Sequence, residues 1–458
     1  MKLKAWELEY RIRESAMPDP NFSGDYDLDS FAPDLNPDWM VRMLWSSVVP
    51  GSGAPESLIL GAIQAVENMG RDVSRAIDIY LEGLEDLERE DLRSLRSKTS
   101  RIFLELSKAE RIDHPYHSYS RPTSWKDISR DFPRVEYEIS NADEKIHLGW
   151  LGQIAGASMG TRLEGFKFEA LESIYGEKLG YYISVPPSTV NDDIAFEIAF
   201  LIALDRVGWN LDSKDIADSW IENIRFGWSA EMVALENIRR GIYPPESGSF
   251  MNPFQEWIGA QMRGMVHGLL NPGRPFDAAR YAYIDSIVSH SGNGVYGGIH
   301  SAVLTSLSFA FEDPKRVILE AEKFVPDGTE FKEVITSTRK MCQDSRGWRE
   351  VLDWIEERFK TYNWIHLYPN SAIVITTLWF SENFDSGMDI VARSGYDVDC
   401  NAGEVGTVLG IIFGVPNRWS EPLKDTLETY VSGYERMKIS ELSEWTLKLM
   451  RRRDRDGG

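Results

Sequence analysis

The hydrophobic positions of this chain recur at helical spacing along most of its length. In the first third of the sequence, apolar residues fall three or four positions apart, as in Leu58, Ile59, Ala62, Ile63, Val66 and Met69. Such spacing places the apolar side chains on one face of a helix. Sustained alternation of apolar and polar residues, which would predict strands, does not occur in the sequence. The pattern therefore predicts an all-α fold.

Longer apolar stretches begin at about residue 143. Their spacing predicts helices over 145–160, 193–207, 214–226, 230–240, 256–269, 276–289, 298–312, 348–361, 370–380 and 402–415. Upstream, we expect residues 1 to about 40 to be irregular and Pro37 to Ile112 to be helical. A polar segment with three prolines follows from His114 to Pro133. We therefore divide the chain into a helical N-terminal extension of unknown role (1–135), a main helical domain (136–418) and a helical C-terminal tail (419–458).

Two of the predicted helices carry glycines at matching intervals. Gly149, Gly152, Gly156 and Gly160 have the same spacing as Gly403, Gly406, Gly410 and Gly414. Glycine costs a helix roughly 1 kcal/mol relative to alanine, but glycines three or four apart free one face for close approach of another helix. We expect these two helices to pack tightly at the centre of the domain.

Charge and cysteine content limit the classes of partner. The chain has 50 Lys and Arg against 72 Asp and Glu, a formal net charge of −22. Such a surface repels nucleic acid and anionic membranes. Only two cysteines are present, and neither a signal sequence nor a long uncharged apolar stretch is evident. We expect a cytoplasmic protein that acts on a small-molecule or otherwise non-nucleic-acid partner, in an oligomeric state that the sequence leaves open.

Carboxylates cluster at the ends of the central helices. Glu164 follows the first glycine helix, Asp192 and Asp193 precede an apolar helix, and Asp397 and Asp399 precede the second glycine helix. Each group has an ordinary alternative: adjacent acids cap helices, and Asp-x-Asp forms turns. In an extended loop, however, Asp397 and Asp399 would point the same way, towards one cation. Each motif alone is a weak signal of a functional site.

Taken together, four motifs resemble those of the ADP-ribosylglycohydrolase family. The glycine-rich opening segment GWLGQIAGASMGTRLEGF ends in an acid, VNDD resembles the family's Thr-Asp-Asp, and GYDVDCNAGEVG resembles its Gly-x-Asp-x-Asp signature. Between them, SHSGNGVYGG resembles the family's His-bearing, glycine-rich segment. The order and separations agree over roughly residues 140–417. The variants Asp-Asp-Ile and Asp-x-Asp-Cys-Asn-Ala resemble a bacterial branch of the family.

The resemblance implies an α-helical hydrolase of a glycosidic bond to ribose in an ADP-ribosyl conjugate, with two Mg²⁺ ions, or Mn²⁺ as in some members. Carried over to this chain, the metal ligands would be Asn191, Asp192, Asp193, Asp397 and Asp399. The catalytic residues would be Glu164, Asp193 and Asp399, with Glu164 activating water or binding metal. Mg²⁺ prefers six oxygen ligands, and paired cations lower the pKa of a bound water.

Two departures concern the ligand set. Asn191 stands where the family has Thr, and its amide oxygen still suits a metal; Cys400 stands where Thr or Ser is common, and a thiol is a poor Mg²⁺ ligand. The His-bearing segment would bind substrate through a glycine loop, with candidates His290, Gly292, Asn293, Gly294, Tyr296 and Gly297. For His290 the ordinary alternative is a helix cap, and for Tyr296 it is a place in the core.

Three other functions compete with an ADP-ribosyl hydrolase. The same site would serve a hydrolase of a smaller ribosyl or nucleoside-like metabolite, which suits the acidic surface. A catalytically inactive, ligand-binding relative would have little reason to keep five clustered acids. A cysteine hydrolase is disfavoured because Asp399 adjoins Cys400 and opposes formation of a thiolate, and no Gly-x-Ser-x-Gly motif supports a serine hydrolase.

Overall fold

The structure, a computed structural model, describes residues 4–21 and 37–456. Within them almost every regular element is an α-helix, which confirms the all-α prediction. Two short antiparallel hairpins are present in these ranges, β1 (Ser47–Val48) with β2 (Pro55–Glu56) and β3 (Leu427–Glu428) with β4 (Arg436–Met437). None of the described helices combines the length and the apolar character needed to cross a lipid bilayer.

The helices follow one another with short connections. Their bounds are α1 Ala5–Ser15, α2 Pro37–Trp45, α3 Leu58–Asn68, α4 Ser74–Glu88, α5 Leu92–Ser107, α6 Trp125–Ile128, α7 Ala142–Gly160, α8 Phe168–Tyr175, α9 Asp192–Val207, α10 Ser213–Asn223, α11 Ser229–Arg239, α12 Gly259–Met262, α13 Met265–Leu269, α14 Pro275–Ser286, α15 Asn293–Ser308, α16 Pro314–Ala321, α17 Glu330–Asp344, α18 Trp348–Phe359, α19 Leu367–Phe380, α20 Phe384–Ala392, α21 Val398–Phe413, α22 Asn417–Ser420 and α23 Ile439–Asp456.

Most of the predicted helices are present with ends shifted by a few residues. The prediction over 256–269 is wrong as a single helix, because the chain forms two short helices, α12 and α13, with a break at Arg263 and Gly264. The irregular start expected before residue 40 is wrong over α1, whereas residues 22–36 lie outside the described ranges. Amphipathic helices α8, α16, α17 and α20 were not predicted; three of them are only eight or nine residues long.

The two glycine helices, α7 and α21, are the closest-packed pair and run antiparallel. Gly152 lies against Gly406, Gly156 against Ala402, and Gly160 against Asp399, where an added Cβ would meet the Asp399 amide nitrogen at 2.5 Å. This confirms the expected close packing. Gly414 has a different role, ending α21 with a φ of +80°. Because the helices touch through backbone, the end of α7 is held directly against the start of α21.

The N-terminal extension packs on the main domain through a shared core. Gly61 on α3 accommodates the ring of Trp257, which an added Cβ would meet at 2.8 Å. The buried Gln64 side chain accepts a hydrogen bond from Asn363 Nδ2 at 3.0 Å. Arg13 of α1 lies 3.5 Å from the carboxylate of Glu356. Contacts of this kind bring the extension close to the site described next.

Candidate metal centre

Glu164 is positioned by the turn that ends α7. The Glu164 amide donates to Gly160 O at 3.2 Å, and the next residue, Gly165, donates to Tyr396 O at 2.9 Å. Tyr396 in turn donates its amide to Phe166 O at 3.3 Å. This short backbone pairing ties the segment after α7 to the segment before α21. Through this pairing, the buried side chain of Glu164 lies beside Asp397 and Asp399.

Asp397 and Asp399 belong to the start of α21. The expected extended loop is wrong, because Asp397 is the N-cap of the helix and Asp399 lies in its first turn. Asn370 fixes this start: its Oδ1 accepts from the Asp397 amide at 3.2 Å and from Asn401 Nδ2 at 2.8 Å. The Asp397 side chain makes no capping hydrogen bond. Capping alone therefore does not explain this carboxylate.

Asn191, Asp192 and Asp193 start α9 and meet the acids of α21. Asn191 Nδ2 donates to Asp399 Oδ2 at 3.1 Å, and Cys400 Sγ donates to Asp193 Oδ1 at 3.3 Å. Ligand atoms of Asp397, Asp399 and Cys400 all lie within 4.8 Å of one another. The structure thus brings together acids about two hundred residues apart in sequence.

The electrostatics of this cluster are unfavourable without a counter-charge. Burial, followed by the charges of Asp399, Asp397 and Asp192, raises the pKa of Glu164 well above its usual value. Burial and the neighbouring acids also raise the pKa of Asp193 and of Asp397 well above the ordinary range, and that of Asp192 to about 7. Like charges in a low-dielectric site raise one another's pKa in this way.

The donor set fits a hard divalent cation. Asp193 Oδ2, Asp399 Oδ1 and Asn191 Oδ1 are buried oxygens without a hydrogen-bond partner. Buried polar oxygens are rarely left unpaired, and carboxylate and amide oxygens are what Mg²⁺ prefers. The Cys400 thiol instead donates its hydrogen to Asp193. Burial and the surrounding carboxylates raise the pKa of Cys400 well above 9, which makes this thiol a poor nucleophile or soft metal ligand.

A small cavity of about 60 Å³ opens onto the cluster, and we call it the acidic cavity. Its acidic side carries Glu164, Asp192, Glu231, Asp397 and Asp399, and its apolar walls include Phe226, Trp228, Trp364, Tyr430, Val49 and Pro50. The last two belong to the N-terminal extension. They sit beside the β1–β2 hairpin, where Arg162 Nη1 donates to Gly51 O at 3.1 Å and Trp228 Nε1 donates to Glu56 Oε1 at 3.1 Å.

Glu231 is an acid of the cavity that the sequence motifs did not reveal. Arg263 Nη1 contacts Glu231 Oε1 at 2.6 Å, and Arg263 Nε contacts Asp285 Oδ2 at 2.7 Å. The charge of Glu231 helps to raise the pKa of Asp192. The only sequence signal is a Glu in the first turn of α11, which is common in helices without a functional site.

None of the six candidate substrate residues at 290–297 lines the acidic cavity. His290 is buried, with Nδ1 2.7 Å from Ser289 Oγ and 3.7 Å from Glu231. The expected glycine loop is wrong, because Gly292 is an N-cap and Asn293 already begins α15. Asn293 donates to Glu256 Oε1, Gly294 packs on the carbonyl of Gln255, Gly297 packs on Leu367, and Tyr296 donates to Pro122 O. A role for these six residues in substrate binding stays a prediction.

Comparisons with known proteins agree with the geometry. The family model described as ADP-ribosylglycohydrolase matches residues 139–456, which include the C-terminal helix α23. A search of curated proteins found no match. Among solved structures, the chain is similar to one described as an ADP-ribosylglycohydrolase-related protein complex, with 17% identity and a TM-score of 0.48. That alignment covers 68% of this chain and 98% of the other, and at this level of similarity it adds no argument.

Proposed function

This chain belongs to the ADP-ribosylglycohydrolase family, and from that premise we propose that it is a metal-dependent hydrolase of an ADP-ribosyl conjugate. Membership of this family supports hydrolysis of ADP-ribosyl-type glycosidic bonds. The observation that carries the metal dependence is the set of buried, unpartnered oxygens on Asp193, Asp399 and Asn191. A carboxylate cluster of this kind is stable at neutral pH when cations offset its repulsion.

We propose two Mg²⁺ ions, replaceable by Mn²⁺, held by Asn191, Asp192, Asp193, Asp397 and Asp399. When bound, such ions orient ribose hydroxyls and lower the pKa of a bound water. The spread of the acids over the starts of two helices supports more than one ion. The helix starts add a favourable backbone dipole for anionic side chains, and bound cations would oppose the burial and mutual repulsion that raise the pKa of these carboxylates.

Glu164 is the proposed general base, in the ionised form that bound cations would favour by offsetting the neighbouring charges that raise its pKa. It faces Asp397 and Asp399 from the end of α7, on the acidic cavity. In the reaction, water adds its hydroxyl to the ribose C1″ while the bond from C1″ to the aglycone breaks, and Glu164 takes the water proton. That proton is then delivered to the aglycone. Cleavage at a ribosyl carbon passes through an oxocarbenium-like state, which the negative charges of Asp193 and Asp399 help to stabilise while Glu164 accepts the water proton.

The size of the cavity favours a second candidate, hydrolysis of a smaller ribosyl or nucleoside-like metabolite. The acidic cavity measures about 60 Å³, below the roughly 300 Å³ of ordinary small-molecule sites. Val49 and Pro50 close one side, together with Trp228 and Trp364. A ribose ring fits such a space more readily than a whole ADP-ribosyl group, which requires this wall to open.

The test is turnover with a defined metal. Protein stripped with EDTA and reloaded with Mg²⁺ or Mn²⁺ is incubated with an O-linked ADP-ribosyl peptide, an N-linked ADP-ribosyl peptide and a ribonucleoside, and the products are separated by chromatography. We expect release of ADP-ribose, lost on adding EDTA. Release of free ribose from the nucleoside alone would favour the second candidate.

Two results would contradict the proposal. Turnover that is insensitive to EDTA would remove metals from the mechanism. Binding of ADP-ribose by calorimetry, without turnover of any of the three compounds, would instead identify an inactive, ligand-binding relative.

A further inference from the structure

A second and larger cavity lies between the N-terminal extension and the main domain. It measures about 380 Å³ and is formed by α3, α5, the turn at Pro115–Ser118 and the segment 249–255. Its floor is apolar, with Leu106, Tyr116 and Pro253 buried and the ring of Phe103 partly exposed. We call it the arginine cavity. It shares no lining residue with the acidic cavity.

The charged side chains that line the arginine cavity are all basic. They are Arg71, Arg111 and Arg121, joined by His117 and by the neutral polar groups of Asn252 and Gln255. Among the residues that the structure describes, no carboxylate lines it. The chain has a net charge of −22, so a cavity lined by three arginines and no acidic residue is unusual for its surface.

The three arginines also lack direct ion-pair partners among the described residues. None of them forms an ion pair within the described ranges. Arg71 Nη1 donates to Ala109 O at 2.8 Å, and the backbone of Arg71 pairs with that of Arg111, which sets the two residues side by side. The guanidinium of Arg121 stacks 3.5 Å above the Tyr116 ring, and its Nε and Nη2 are buried without a hydrogen-bond partner.

An acid does lie behind the wall of the cavity, but its oxygens are already engaged. Glu256 Oε1 accepts from Tyr116 OH at 3.1 Å and from Asn293 Nδ2 at 2.9 Å. The charge of Arg121 acts on Glu256 and on Glu330 at longer range. Neither carboxylate forms an ion pair with Arg121, so, in the part of the chain that the structure describes, no direct counter-ion neutralises the three guanidinium groups that line the arginine cavity.

We propose that the arginine cavity binds a small organic phosphate, with the phosphate on the arginines and a flat ring on the apolar floor. Guanidinium groups bind phosphate through paired hydrogen bonds, and three of them line this cavity, with no carboxylate among its described residues. The volume lies within the roughly 300–1,000 Å³ of small-molecule sites. Because the lining residues 66–121 precede the matched family region whereas the lining residues 249–255 lie within it, the site exists only where the extension meets the main domain.

Binding of AMP, followed by isothermal titration calorimetry in EDTA and low salt, tests this proposal. EDTA removes any metal-dependent binding at the acidic cavity, so the result is independent of the proposed function. We expect one AMP per chain, weaker binding of adenosine and of inorganic phosphate, and affinity that falls with added salt. Arg111→Gln and Arg121→Gln should each weaken AMP binding by about tenfold or more.

Arg101→Gln is the matched control. Arg101 is an exposed residue of α5 outside the cavity, and its substitution removes the same charge. We expect wild-type affinity for this variant, and Arg111→Gln should keep the wild-type melting temperature because its side chain is exposed. The proposal is overturned if wild-type protein binds no AMP at millimolar concentration, if Arg111→Gln binds as well as wild type, or if Arg101→Gln loses as much affinity as Arg111→Gln.

Discussion

Gly156→Ala should destabilise the protein and weaken its metal site, although alanine is the better helix former. Gly156 lies in the C-terminal half of α7, where an added Cβ would overlap the carbonyl oxygen of Ala402 and approach Gly403 N to 3.1 Å. These atoms are backbone of α21 and have no rotamer to change. The methyl group is therefore accommodated only if the two helices separate.

The magnitude follows from two opposing contributions. Replacing glycine by alanine within a helix stabilises by about 1 kcal/mol. Overpacking a close-packed interior costs typically about 1–3 kcal/mol, and a clash with backbone belongs at the upper end. We therefore expect the free energy of unfolding to fall by about 2 kcal/mol. Because Ala402 lies one turn from Asp399, the shift also reaches the acids.

Gly149→Ala is the control on the same helix. There an added Cβ would meet Leu269 Cδ2 at 2.6 Å and Ile411 Cγ1 at 3.2 Å, the flexible ends of side chains. Urea unfolding and Mg²⁺ titration of both variants should show a large loss of stability and metal affinity for Gly156→Ala and a small change for Gly149→Ala. A Gly156→Ala protein that is as stable as Gly149→Ala would refute the argument that backbone contact fixes this helix pair.

Three further predictions concern the acidic cavity. Asp399→Asn should abolish hydrolysis with little change in the urea midpoint. As a control, substitution of Asp313, a surface N-cap of α16, by Asn should keep wild-type turnover. Wild-type rates for Asp399→Asn would exclude a role of Asp399 in hydrolysis. Glu164→Gln should keep Mg²⁺ affinity and lose roughly 10²–10⁴-fold in rate, and unchanged rate with unchanged Mg²⁺ affinity would make it a bystander. Finally, the pKa of Asp192 is raised to about 7, so the native state holds a proton that the unfolded chain releases above about pH 4. Stability in EDTA should fall as the pH rises from about 4 through 7, and Mg²⁺ should raise the melting temperature more at pH 8 than at pH 5; an equal rise at both would count against metal binding by ionised carboxylates.

The sequence predicted the centre of the fold well because local rules determine it. The glycine spacing on α7 and α21 depends only on helix geometry, and the structure pairs these helices through it. The acids at the helix ends were likewise identified from their positions, and they meet because those ends meet. Helix α15 begins earlier than predicted. The glycines near its start indicated a loop, whereas in the structure Gly292 is the N-cap and the following glycines are helical.

Other parts of the site depend on tertiary contacts that no local pattern reveals. Glu231 is an ordinary first-turn acid until Arg263 and the wall of the cavity surround it. Asn370 is one of many polar residues near a helix start, and its role at Asp397 follows only from the packing of α19 on α21. Val49 and Pro50 line the cavity from the N-terminal extension, and no local pattern in the extension indicates that position.

The β1–β2 hairpin has a consequence for the order of folding. The residues that contact this hairpin, Arg162 and Trp228, are synthesised more than a hundred residues after it. Gln64, in the helix that follows the hairpin, contacts Asn363, which is 299 residues downstream. During synthesis the extension therefore emerges before the surface that it covers exists. Contacts of such long sequence separation form late, because closing a long loop costs conformational entropy before the contact can offset that cost. The wall contacts span 111 and 172 residues, fewer than the 208 residues between Asn191 and Asp399. We therefore expect the wall and the carboxylate cluster to assemble together, late in folding.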